Sequence, residues 1–249
     1  MGWLYNLAVW CDDLLLWRIM GIKLEIRGIW KDYSKKFYIV IANHQSWSDV
    51  FVLQHLFNGR APLLKFLVKR ELIFLPIVGL VCWAYGYPFL RRHSVKGRKM
   101  DGGQFQSDVS VLKKALERFI RTPASVINLV EGTRFSPAKA RSQKSPYHYL
   151  LKPKAGGMTT MLALLGDRVG AIVDVTIVYD CEHPTFWNFL GGECRRILVK
   201  VTVYSAEKMP PVLDYESVTT WINRVWGKKD LEIGALRQSL GREEGVKKK

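Results

Sequence analysis

The segment Phe37 to Phe57, FYIVIANHQSWSDVFVLQHLF, restricts the possible folds more than any other part of the chain. Its first six residues, Phe37 to Ala42, are apolar and partly β-branched, the pattern of a buried strand. Asn43, His44 and Gln45 interrupt that run, and a helical apolar pattern begins at Val50. His44 is thus expected at the C-terminal edge of a strand, with Asp49 in the first turn of the following helix. Strand-end loops above a sheet are where α/β proteins place chemistry.

A histidine followed by an aspartate at this spacing suits proton transfer. Neutral imidazole, with a pKa of about 6.5, accepts a proton near neutral pH. It does so efficiently when a carboxylate bonded to its other nitrogen fixes the tautomer and the ring. Within one helix the spacing would put the two side chains far apart around the axis. A turn followed by a helix start lets the carboxylate fold back. Ser46-Trp47-Ser48-Asp49 also reads as a capping box, Ser46 at N-cap and Asp49 at N3, and both readings stand at this point.

A second cluster strengthens the catalytic reading. Val126 to Val130 is another short apolar strand, followed directly by Glu131, Gly132, Thr133 and Arg134. Glycine lets backbone amides approach a ligand closely, and arginine offers a planar fork suited to phosphate. An isolated arginine is more often simply solvated. Two polar clusters at two strand ends carry more weight together than either alone.

The ordered set Asn43-His44 to Asp49, Gly86-Tyr87-Pro88-Phe89-Leu90-Arg91-Arg92 and Glu131-Gly132-Thr133-Arg134 resembles the glycerophospholipid acyltransferase family, which includes the 1-acylglycerol-3-phosphate acyltransferases. The likeness extends from about Leu24 to Val178. Many bacterial members carry a proline-rich late strand, where this chain has Ala171 to Ile177, AIVDVTI. That departure, with Phe135-Ser136-Pro137 and Lys152 to Gly156, resembles the branch of lysocardiolipin-type acyltransferases and related bacterial inner-membrane enzymes. The departure bears on the acceptor head group more than on the reaction.

The resemblance implies transfer of a fatty acyl group from acyl-CoA or acyl carrier protein to a lysophospholipid hydroxyl, 1-acylglycerol 3-phosphate first among the acceptors. Other lysophospholipids and glycerol 3-phosphate are the alternatives. It implies His44 as general base oriented by Asp49, and Arg134 with Gly132 and Thr133 holding the acceptor phosphate. Arg92 would add positive charge, and Glu131 would orient Arg134 or bind a glycerol hydroxyl. No metal or other cofactor is implied. The place implied is the cytoplasmic face of a bacterial inner membrane.

The rest of the chain fits one α/β domain, a mixed and largely parallel sheet flanked by helices (residues 24–240). An N-terminal amphipathic, membrane-associated helix (1–23) precedes it and a disordered basic tail (241–249) follows. A length of 249 residues suits a single domain of this class. Trp3, Leu7, Trp10, Leu14 and Trp17 recur at helical spacing, a stripe for either a membrane interface or the protein's own sheet. Asp12, Asp13 and Arg18 argue against a bilayer span there. Ile73 to Leu90 is uncharged over 18 residues but broken by Pro76, Gly79, Gly86 and Pro88. Lys65, Lys69, Arg70, Arg91, Arg92, His93, Lys96, Arg98 and Lys99 flank it.

The formal charge of +16 calls for an anionic partner. An anionic phospholipid membrane fits basic side chains set beside apolar surface. No nucleic-acid-binding signature accompanies the charge, so nucleic acid is not expected as a partner. Cys11, Cys82, Cys181 and Cys194 show no CxxC spacing and are expected as reduced thiols. Ser94 to Gln106 reads as a loop, Ser107 to Arg121 as a helix and Phe135 to Lys152 as a long irregular segment. Ala155 to Leu165 reads as a helix, Ala171 to Val178 and Ile197 to Val203 as strands, and Val212 onward as helical. His55, His93, His148 and His183 lack an evident acidic partner and read as structural or surface residues. A membrane-surface protein without catalytic activity remains the rival reading.

Overall fold

The computed structural model describes residues 2–28, 37–61, 64–66, 68–69, 73–74, 87, 89–90, 125–210 and 214–247. Arg70, Cys82, Arg91, Arg92, His93, Lys96, Arg98, Lys99, the loop expected at 94–106 and the helix expected at 107–121 lie outside them, as does most of 73–90.

Six strands form one sheet: β1 (Lys23–Arg27), β2 (Phe37–Ala42), β3 (Leu64–Phe66), β6 (Ser125–Asn128), β7 (Val169–Tyr179) and β8 (Arg196–Ser205), in the order β1-β8-β7-β2-β6-β3. A separate two-residue pair joins β4 (Val68–Lys69) to β5 (Phe89–Leu90). Every pairing in the large sheet is parallel except β7 with β8. All six residues of β2 are buried. An unbroken apolar strand is what a central position in a parallel sheet requires, because helices cover both faces.

The period of two divides the side chains between two apolar layers. Phe37, Ile39 and Ile41 face α4 (Gly156–Leu165) and α6 (Tyr215–Lys247). Tyr38, Val40 and Ala42 face α2 (Asp49–Phe57), Leu16 after α1 (Gly2–Asp13), and Phe189 in the short α5 (Phe186–Leu190). The mixed α/β sandwich expected from the sequence is therefore present.

Several local expectations change. The segment 135–152 contains a helix, α3 (Pro137–Ser142), started by Pro137 and by a Ser136 hydroxyl that accepts the Lys139 amide. The described part of the basic tail is helical rather than irregular: α6 continues to Lys247, since each residue added to an existing helix costs little. Cys181 and Cys194 form a disulfide rather than remaining thiols, while Cys11 is free. The antiparallel β7–β8 connection brings residues 13 apart in sequence to a Cα–Cα distance of 5.0 Å, a proximity that cysteine spacing does not encode. Replacing both cysteines by serine should lower unfolding stability by about 2–3 kcal/mol, from the closed loop it releases. Urea unfolding of the oxidised protein against Cys181→Ser/Cys194→Ser checks this.

The N-terminal helix continues as a π-helical turn, Leu14–Ile19. One apolar face of this helix points outward: Leu7, Trp10, Leu14, Leu15 and Ile19 are exposed, Trp10 by 59%, whereas Val9 and Leu16 are buried. Its carboxylates sit nearer the protein. Asp13 Oδ1 accepts from Trp17 Nε1 and lies 2.7 Å from His55 Nδ1 on α2. His55 thus has an acidic partner, 42 positions upstream, which the sequence did not reveal. Burial, with Asp13 beside it, pushes Asp12 up to about 6. Among the described residues no helix is long and apolar enough to cross a membrane.

Candidate active site

Because β2, β6 and β7 are mutually parallel, their C-terminal ends share one edge of the sheet. His44, Glu131 and Tyr179, each just past or at the end of one strand, meet there. Asn43 extends the β2–β7 pairing by side chain: its amide nitrogen donates to the Ile177 carbonyl, and its amide oxygen accepts the Ile177 N–H, both at 2.8 Å. The turn that follows is thereby fixed against β7.

His44 Nδ1 lies 2.8 Å from Asp49 Oδ2, with the imidazole 14% exposed and the carboxylate fully buried. The same Oδ2 accepts the backbone N–H groups of Gln45 (2.8 Å) and Ser46 (3.0 Å), and Oδ1 accepts the Tyr179 hydroxyl (2.7 Å). The carboxylate accepts from three donors besides the imidazole, and a carboxylate has acceptor roles only, so the ring nitrogen facing it serves as a donor. That pattern places the imidazole proton on Nδ1 and leaves the Nε2 lone pair for chemistry. The two readings of Asp49 prove compatible, with one change. The helix starts at Asp49 rather than after Ser46, and the Ser46 hydroxyl accepts the Ser48 amide. Asp49 still reaches back to the Ser46 N–H, as in a capping box.

Glu131 does not take the position expected of a substrate ligand. It is fully buried; Oε1 accepts the His44 N–H (3.1 Å) and Oε2 the Leu151 N–H (2.9 Å). Neither oxygen reaches toward Arg134 or solvent. Burial pushes its carboxyl up to about 8, against the lowering effect of those two amides. Gly132 adopts φ 72°, a turn that side chains disfavour, and its N–H donates to the Leu129 carbonyl. The turn sends Thr133 and Arg134 outward.

The two motifs are also joined through main chain. The Phe135 N–H donates to the His44 carbonyl at 2.7 Å. His44 is therefore held at its amide by Glu131, at its carbonyl by Phe135 and at its ring by Asp49. Arg134 is exposed, its guanidinium 5.6 Å above the Trp47 ring, a stacking that guanidinium favours. Lys139 Nζ donates to Thr133 Oγ1 and to the Arg134 carbonyl, both at 2.9 Å. Trp47, Lys139 and Tyr179 belong to the site without having been singled out by sequence. Trp47 lies inside the first motif; Lys139 and Tyr179 carry no local signal. No group of side chains suited to a metal ion occurs among the described residues.

A chain of this architecture has relatives. Residues 23–180 match the family model described as "Acyltransferase". Mouse 1-acyl-sn-glycerol-3-phosphate acyltransferase gamma is 27% identical over 228 residues, 86% of this chain and 56% of that protein. The Arabidopsis thaliana 1-acyl-sn-glycerol-3-phosphate acyltransferase 2 is 27% identical over 266 residues, 94% of this chain and 64% of that protein. The chain thus spans somewhat over half the length of such relatives. In fold it is similar to the crystal structure of the 1-acyl-sn-glycerophosphate acyltransferase PlsC from Thermotoga maritima, with a TM-score of 0.59, 13% identity, and coverage of 92% of this chain and 79% of that one. The family match covers most of the sheet and both strand-end clusters, and on it the chain belongs to the acyltransferase family.

Proposed function

We propose that the protein transfers a fatty acyl group from a thioester, acyl-CoA or acyl carrier protein, to a lysophospholipid hydroxyl, with 1-acylglycerol 3-phosphate as the preferred acceptor. The observation that carries the reading is the His44–Asp49 pair at 2.8 Å, bonded through main chain to the loop that presents Arg134. His44 Nε2 takes the acceptor's hydroxyl proton as the oxygen attacks the thioester carbonyl. The C–O bond forms, the C–S bond breaks, and the leaving thiolate recovers the proton from His44. Asp49 holds the Nδ1–H and balances the imidazolium charge.

Arg134 binds the acceptor phosphate, and Lys139 adds a second cation six residues from Thr133. Arg92 is proposed as a further positive group, and the Gly132-Thr133 turn as the support that aims Arg134. Arg134→Ala should raise KM for the acceptor about 10- to 100-fold, the range expected for a lost charged hydrogen bond. Turnover at saturation should change little; steady-state kinetics with varied acceptor checks this. The outward apolar face of α1 and the charge of +16 support a peripheral seat on anionic phospholipid. That seat is proposed on the cytoplasmic side of a bacterial inner membrane.

Acyl transfer by the detergent-solubilised protein tests the reading. Lysophosphatidic acid, other lysophospholipids and glycerol 3-phosphate are compared, each with acyl-CoA and with acyl carrier protein. Transfer fastest to lysophosphatidic acid supports the proposal. Faster transfer to another lysophospholipid corrects the acceptor, and no transfer with either donor overturns it.

A further inference from the structure

We propose that Tyr179 is a positioning residue for acyl transfer, holding the Asp49 carboxylate in the one plane that keeps His44 aimed at the acceptor hydroxyl. The proposal rests on the reading of His44 as the base. Without Tyr179, Asp49 Oδ1 has no hydrogen-bond donor among the described contacts, while Oδ2 collects three. A carboxylate held by one oxygen can swing about its last torsion, which is broad for aspartate. The phenol at 2.7 Å on the second oxygen removes that freedom.

The tyrosine is itself tightly placed. It ends β7, in register with Ile197 of β8. Two residues earlier, Ile177 makes both hydrogen bonds to Asn43, the residue preceding His44. Two residues later, Cys181 closes the β7–β8 connection by its disulfide to Cys194. Phe189 packs edge-on against the ring at 6.4 Å between centroids. The strand end carrying the hydroxyl is thereby tied to the histidine turn by two strand-to-turn bonds, and the disulfide closes the β7–β8 connection beyond it. Burial, then the Asp49 charge, pushes its phenol well above the ordinary range, which favours the protonated, donating form. It keeps its proton throughout; its effect passes through Asp49.

Tyr179→Phe keeps the ring and deletes the donor. The expected result is a kcat about 10- to 100-fold lower, with KM for donor and acceptor unchanged within about twofold. A double-mutant cycle separates positioning from general support. In an Asp49→Asn background, adding Tyr179→Phe should cost less than about twofold, because the carboxylate on which it acts is gone. An equal loss in both backgrounds overturns the proposal, as does a Tyr179→Phe enzyme with wild-type kcat. The Nδ1–H proton resonance of His44 gives a readout independent of turnover. It should shift or broaden in Tyr179→Phe, and an unchanged resonance refutes the positioning role. If wild-type protein transfers no acyl group, the functional reading fails, and this resonance still decides whether Tyr179 fixes the imidazole.

Discussion

His44→Ala should lower the turnover of acyl transfer about 10²- to 10⁴-fold, the usual range for losing a positioned general base. The site geometry explains why this variant should also remain folded. Glu131 and Phe135 bind residue 44 through its amide and carbonyl, which alanine retains. Asp49 keeps the Gln45 and Ser46 amides and the Tyr179 hydroxyl. The imidazole is partly exposed, so its removal leaves a water-accessible gap rather than a dry cavity. The check pairs initial rates at saturating donor and acceptor with a thermal melt. A melt within a few degrees of wild type, with the rate reduced, assigns the loss to chemistry. Near-wild-type turnover would remove His44 from the mechanism.

On the opposite face of the sheet, Lys229→Met should destabilise the fold by about 3–5 kcal/mol, the cost of leaving one member of a buried ion pair alone. Lys229 Nζ lies 2.5 Å from Asp174 Oδ1, donates to the Val175 carbonyl at 2.7 Å and sits 4.8 Å above the Trp226 ring. Its side chain is wholly buried. Burial already raises the Asp174 carboxyl, and Lys229 is the main opposing influence. Without the lysine the folded-state pKa rises further above the unfolded value of about 3.9. A raised acid favours the folded state at low pH and loses that advantage as pH climbs through the folded pKa. The deficit of the variant should therefore be larger at pH 8 than at pH 5 in urea unfolding. Lys229→Met/Asp174→Leu should recover most of the loss, since an apolar pair has no charge to desolvate. Equal deficits at both pH values would mean that Asp174 contributes no uncompensated charge.

These two sites differ in how visible they are in the amino-acid order. The Phe37–Ala42 run is long enough, apolar enough and sharply enough ended to reveal a central strand and the turn carrying His44. Asp49 is local to that turn, so its partner is a neighbour in sequence. The Ser125–Asn128 strand and its Glu131-Gly132-Thr133-Arg134 exit follow the same logic. Tyr179 reads only as the last apolar residue of a strand, because its partner lies 130 positions away. Asp174 stands out in β7, yet nothing near Lys229 marks that lysine as buried. Glu131 misleads for a related reason. A glutamate beside an arginine suggests a polar pair, whereas its oxygens bind the amides of His44 and Leu151, on segments that only the folded sheet brings close. The outward face of α1 was legible as a stripe but not in direction, since direction depends on what α2 offers on the other side.

The bond from the Phe135 amide to the His44 carbonyl has a consequence for sequence variation. What the site asks of position 135 is a peptide N–H at the right point in space, a requirement blind to side-chain identity. Nineteen amino acids supply that group and proline alone lacks it. The coupling between the His44 turn and the Arg134 loop can thus persist while the residue at 135 changes, which leaves this contact with almost no imprint on the letters of the chain.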